Sequence, residues 1–372
     1  MLQALKFTLL FMIWLFSNHL YTAETINLPA PNFSEDNIVN AKTAMRPFHE
    51  TPFHLKAEIH YRNEKPFILI HNYRDGDAGW TYAPGRMEVS YENMLKAYHA
   101  IGKTLIPANE SIAVIGGGVH GLMIANKLAE IGHPVTIYAE NFSPNTFSDI
   151  HACIFMPLLN AKKTTDSLIN QLEFISYKTY ESWINPKNHN GYHGVTPVDL
   201  YLINDNGSFN RLTKNSFIPE AEAVTIQFDN NKNISAKKYR SFILDTPLIQ
   251  KEMMRKAKML GIKFIYRKTK NLADCLTIDA DVIFNCIGLG ANETFLDDKI
   301  VPQTHHSICF QSPVKDNYVI YINHLDETHT YYLANNNTIT VSGTFPPLNK
   351  NNFSETTNIK HLLKRANRIA MH

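Results

Sequence analysis

The chain has 372 residues, 44% of them hydrophobic, with 36 Lys and Arg against 34 Asp and Glu. That length accommodates two domains around a substantial core, and the hydrophobic fraction excludes a disordered chain. The near balance of charge gives no electrostatic basis for binding nucleic acid or an anionic membrane surface.

Near the N-terminus, Lys6 precedes residues 7–16, a charge-free apolar run too short to span a bilayer comfortably but as long as a signal-peptide core. Residues 1–23 are therefore expected to direct export, giving a periplasmic or secreted protein. Retention as a membrane anchor is the alternative, because Tyr21 is bulky for a cleavage site after Ala23. No twin arginine precedes the run, which predicts export before folding. Cys153, Cys275, Cys286 and Cys309 and the histidines near them compose no complete metal signature, so no metal is expected; an oxidising compartment would allow one disulfide.

Residues 24–40 read as a polar loop, and 53–61 alternate as a strand. An apolar strand over 67–70 leads into a glycine-containing turn, 71–81, and a helix over 88–100. Residues 112–115 then form a buried apolar run, and Gly116, Gly118 and Gly121 fall at G-x-G-x-x-G spacing as a helix opens. A second strand, 134–138, follows, and Glu140 stands where a carboxylate would accept ribose hydroxyls. Strand, glycine turn, helix, strand and acid arriving in order within about 30 residues predict a dinucleotide site, with the free N–H groups of the helix start facing phosphate. An acid rather than a base at position 140 favours FAD or NAD over NADP.

Downstream, Leu168, Leu172, Ile175 and Trp183 share one face of a helix over 166–183, and short strands separated by turns occupy 198–228. A helix over 246–260 has Thr246 as its cap and Pro247 at its first position. Strands at 262–267, 282–285, 318–323, 331–334 and 339–341 precede a last helix over 357–369. Strands alternating with helices predict an α/β fold with an interposed, mainly antiparallel domain.

Residues 114–122, continued by 137–144 and 148–152, resemble the opening of the FAD-dependent D-amino-acid oxidase family. Residues 261–268 and 281–291 are similar to its later flavin-domain strands, and 338–344 to a substrate-domain strand. The resemblance implies a Rossmann-like FAD-binding domain from 65–160 and 240–300, and a substrate domain from 36–64, 161–239 and 301–372. It implies FAD as cofactor, and transfer of the Cα hydrogen of a D-amino acid or related amine as hydride to flavin N5, with oxygen as the electron acceptor. Glycine or a secondary amine with another acceptor is one alternative, and a catalytically silent FAD-binding protein is the other. The partner expected is a small amino acid or amine; a homodimer is left open.

In that family an Arg-Pro segment, a strand and an H-N-Y-G-H-G-G-x-G-x-T loop close the chain. Here Arg46-Pro47 and 71–81 come first, and nothing like them follows Ile369. The resemblance thus implies a circular permutation, with the old C-terminal helix, 88–100, joined through 101–109 to the old first strand. Arg46 matches the arginine that holds the substrate carboxylate, a task suited to a planar five-donor fork. Tyr331 or Tyr332 matches a tyrosine on the same carboxylate, and only one can serve because strand neighbours face opposite ways. The family's second tyrosine has no counterpart, and His329 lies in that neighbourhood. Gly116, Gly118, Val119, His120, Gly121, Glu140, Asn141, Ser148, Thr269 and Gly288 match the surroundings of the dinucleotide. Gly76, Gly79, Trp80 and Thr81 match the flavin's pyrimidine edge. Arg74 and Asp77 replace two glycines of the pattern, Cys153 replaces a glycine and Ile287 a threonine.

Overall fold

Short apolar runs without polar alternation belong in parallel strands covered on both faces. Ile112–Ile115 and Val282–Asn285 are buried at every position, and Lys65–Tyr73 is buried from Phe67 onward. The computed structural model describes residues 23–49, 51, 53–74, 78–103, 110–150, 152–157, 166–185, 191–229, 233–313, 315–324, 329–335, 337–344 and 355–371. Of the expected leader, residues 1–23, all but Ala23 lie outside them, as do Gly76 and Asp77.

Among the described residues the strands form two sheets. In the six-stranded sheet the order is Lys263–Tyr266, Val135–Ala139, Ile112–Ile115, Val282–Asn285, Lys65–Tyr73 and His54–Arg62. The first five run parallel and the last is antiparallel. On one face Ile68, Ile70, Val114 and Phe284 pack with residues of the helices Gly79–Ala100 and Val119–Glu130. On the other, Leu69, Ala113 and Ile283 pack with Cys275 and Ile278. His54–Arg62 pairs with Lys65–Tyr73 in this sheet, whereas the expected boundary grouped it with the substrate domain.

The ten-stranded sheet runs Glu24–Leu28, Glu222–Phe228, Asn233–Leu244, Val195–Ile203, Tyr318–Asn323, His329–Asn335, Thr338–Thr344, Val301–Gln311 and Ile38–Phe48, with Cys153–Ile154 paired to the side of Asn233–Leu244. One face packs Ile320, Tyr332, Ile339 and Val341 against Leu362 and Ala366 of the helix Glu355–Met371. The other presents Tyr321, Tyr331 and Leu333 to the core shared with the first sheet.

Four local expectations change. Residues 24–40 contain the strand Glu24–Leu28 and the start of Ile38–Phe48 rather than only loop. Ile38–Phe48 is an edge strand, where Pro47 is tolerated and alternation is not required. The helix expected from 88 begins at Gly79: Pro84 and Gly85 hide the signal, yet a Cβ at Gly85 would meet the Leu172 backbone, so the glycine permits close approach of the helix Asp166–Trp183. The cap of Thr246–Met259 is Asp245, whose side chain accepts from Leu248 N at 3.1 Å, rather than Thr246. All four cysteines are free thiols, so no disulfide forms.

Candidate active site

The glycine turn is shaped by close backbone contacts. Gly116 adopts φ 118°, and a Cβ there would run into the Cys286 carbonyl; a Cβ at Gly121 would run into the Gly116 carbonyl. Gly121 thus sets helix against strand and does not itself line the cavity, whereas Gly116, Gly118, Val119 and His120 do. At the helix start Val119 N donates to Ser148 Oγ at 3.1 Å. Glu140 and Asn141 follow the strand Val135–Ala139 at the same cavity, and Ser148, Thr269 and Gly288 complete its wall. Lys268 Nζ lies 3.9 Å from Glu140 and 3.6 Å from Glu293. Thr269 Oγ1 is buried without a hydrogen-bond partner, a polar atom presented where a ligand could satisfy it. A glycine turn at a helix N-terminus, a strand-end acid and an unsatisfied hydroxyl fit a dinucleotide.

A second cavity adjoins the first, with Pro47, Val119, Phe147 and Ser148 lining both. Its walls bring together Arg46, Gly79, Trp80 and Thr81 from the early part of the chain with Tyr331 from the late part. The early loop is fastened to the fingerprint. Trp80 Nε1 donates to Ser148 O at 3.2 Å, His120 Nε2 lies 3.3 Å from Gly79 O, and the Thr81 hydroxyl bonds Met156 O and N, both at 3.2 Å. Tyr180 OH donates to Trp80 O. One layer out, buried Glu173 joins Tyr82 OH at 2.9 Å and Arg211 Nη2 at 2.6 Å, tying this helix to two others; no sequence motif announces that group.

The H-N-Y segment ties strands together. Asn285 Nδ2 donates to His71 Nδ1 at 3.0 Å, and Asn72 Oδ1 accepts from Arg86 Nε at 2.9 Å. Burial, then the Arg86 charge, push the His120 pKa well below its usual value, so this ring is neutral beside the helix start. Arg74, in place of a glycine, adopts φ 64°, a conformation that costs a non-glycine residue about 1–2 kcal/mol. Its carbonyl accepts from Phe53 N at 2.6 Å and its Nε meets Asp297 at 2.6 Å, which hold it there. Cys153 lines the second cavity and Ile287 the first.

Tyr331 and Tyr332 separate as strand geometry requires. Tyr331 lines the cavity, its hydroxyl 3.4 Å from Nε2 of the fully buried His305. Tyr332 is corrected to a packing role: it points to the other face and donates to Ala366 O at 2.9 Å. His329, on the same face as Tyr331, lines the cavity with its Nδ1 3.2 Å from Thr344 Oγ1. Gln303, which no sequence motif marks, lines it opposite Arg46.

A family model described as FAD dependent oxidoreductase, DAO, matches residues 111–370. D-amino acid oxidase of Dugesia ryukyuensis is 31% identical over 216 residues, covering 54% of this chain and 61% of that protein. The chain therefore spans less than two thirds of that relative's length. Iminodiacetate oxidase from Chelativorans sp. BNC1 superposes with a TM-score of 0.51 at 15% identity, over 70% of this chain and 78% of that one. Glycine oxidase from Bacillus cereus ATCC 14579 gives a TM-score of 0.50 at 14% identity over the same shares. At such identities these two show a common fold alone. The family match spans more than half of the sequence, and its fingerprint lies in the cavity built above: the chain belongs to the DAO family of FAD dependent oxidoreductases.

Proposed function

We propose that the protein oxidises the CH–NH2 group of a D-amino acid or related amine, with oxygen as the acceptor of its electrons. The observation that carries this reading is the union of Arg46 and Tyr331 in one cavity that opens, at Val119 and Ser148, onto the dinucleotide cavity. FAD, when bound, supplies the hydride acceptor for the Cα hydrogen. The residues of the chain orient the donor. Arg46 presents paired N–H donors to the α-carboxylate, and the Tyr331 hydroxyl donates to the same group while His305 faces it from behind. Gly79 to Thr81 and the helix they open offer backbone donors and a positive dipole end to charge growing on the ring's pyrimidine edge. The named activity of the Dugesia relative favours a D-amino acid. Purified protein loaded with FAD should lose its flavin colour anaerobically on addition of a D-amino acid and regain it in air. Bleaching only by glycine or a secondary amine would replace the substrate, and a protein that takes up no FAD would reject the reading.

We also propose that the six-stranded sheet carries the cofactor and the ten-stranded sheet the substrate, and that the order of segments is a circular permutation. In support, the family match begins at Ser111, while Lys65–Tyr73 completes the six-stranded sheet beside Val282–Asn285. Lys103 and Glu110 pair at 2.7 Å across the proposed joint. A chain re-ordered to begin at Ser111, with residues 24–103 appended after 371, should still bind FAD; failure of that form to fold would count against the permutation. Residues 1–23 are proposed to direct export, which cell fractionation of the full chain tests.

A further inference from the structure

We infer that Gln303 holds the amino group of the substrate, an inference that rests on reading the Arg46 cavity as an amino-acid site. Gln303 is the register partner of Arg46 across the antiparallel pair of Val301–Gln311 and Ile38–Phe48. Residues directly opposite in such a pair point to the same face, and both line the same cavity. The Oε1 atom of Gln303 is buried and has no hydrogen-bond partner. A buried acceptor left unmade is costly, and its natural complement is a donor brought by the ligand.

The chemistry of an amino acid places such a donor in reach. Its amine and carboxylate share one carbon, so a group that takes the amine must sit beside the group that takes the carboxylate, as Gln303 sits beside Arg46. The kind of acceptor matters as well. Among the described residues lining this cavity there is no Asp or Glu. A carboxylate would favour the ammonium form, whose nitrogen has no free electron pair. An amide oxygen accepts an N–H from the neutral amine and leaves the nitrogen pair free to form the C=N bond as hydride departs. The ligand implied is therefore a carboxylate carrying an α-amine.

The test compares two ligands on the FAD-loaded protein, D-alanine and propionate, which differ by the amine. Gln303→Leu and the volume-conserving Gln303→Met are each titrated with both while the flavin spectrum is followed anaerobically, flavin occupancy reporting that the variant has folded. The expected result is about 10-fold or greater loss of D-alanine affinity with propionate affinity unchanged, as for deletion of one hydrogen bond to the amine. Equal losses for both ligands would make Gln303 a support for Arg46, and no loss for either would remove it from the site; each overturns the inference. If neither ligand alters the flavin of the unsubstituted protein, the amino-acid reading itself fails and this inference goes with it.

Discussion

Replacing each of two adjacent tyrosines by phenylalanine asks separately what the two faces of one strand do. Tyr332→Phe deletes the 2.9 Å bond to the Ala366 carbonyl beneath the helix Glu355–Met371, a fully buried neutral pair. Such a bond is worth about 1 kcal/mol. Scaled by the per-residue unfolding entropy to a chain of this size, that is a fall of roughly 1–2 °C in Tm, with flavin kinetics unchanged. Tyr331→Phe instead removes a hydroxyl from the cavity, where its proposed acceptor is a carboxylate. A bond to a charged acceptor contributes about 1.5–3 kcal/mol, so kcat/KM for an amino acid should fall roughly 10- to 100-fold with little change in Tm. Thermal melts and anaerobic flavin-reduction kinetics on the same two proteins give both readouts. Slower turnover in Tyr332→Phe together with only a lower Tm in Tyr331→Phe would mean that the strand presents the opposite face to the substrate, against the assignment of the two faces.

Gly118→Val should abolish FAD uptake, since a Cβ there already stands 3.0 Å from Ser148 Oγ and the larger branches would project into the pyrophosphate path; normal flavin occupancy would contradict this. Stability should fall as the pH drops below about 6.5. His49, His54, His71, His120 and His133 all have lowered pKa values with burial as the first cause, and His54 is brought down to about 4. Each takes up a proton on unfolding that it does not hold when folded, so their contribution is complete above pH 6.5 and is lost on the way down toward 4. Glu58 is held at about 2, first by its bond from Lys56, and its contribution should persist until the pH falls below about 4.5. Urea midpoints across this range check the sign, and stability that rises on acidification would contradict it.

The fingerprint was legible because its requirements are local. The turn at Gly116, the packing of Gly121 and the buried runs Ile112–Ile115 and Val282–Asn285 each follow from a few consecutive residues. The cavity face of the large sheet was not legible in that way. Val301–Gln311 carries His305, His306 and Ser307 in buried positions, where alternation would call for apolar residues. The two histidines meet partners on other strands, as between His306 Nδ1 and Thr43 Oγ1 at 3.0 Å and between His305 Nε2 and Tyr331 OH at 3.4 Å, and no local pattern encodes such partners. Gln303 gains meaning only from lying opposite Arg46, a pairing that register determines. Gly79–Ala100 was half legible: its second half has the helical period, while Pro84 and Gly85 in its first half lower the propensity, Gly85 in exchange for the close approach of Asp166–Trp183.

The central claim is that the early arginine and the later fingerprint surround one flavin. The most direct measurement is single-turnover flavin reduction by a D-amino acid in Arg46→Ala, with FAD occupancy determined on the same sample. Removing one partner of a desolvated charge pair costs about 2–5 kcal/mol, so occupancy should match the unsubstituted protein while the apparent affinity for the amino acid falls at least about 30-fold. Reduction with an unchanged rate and concentration dependence would contradict the account.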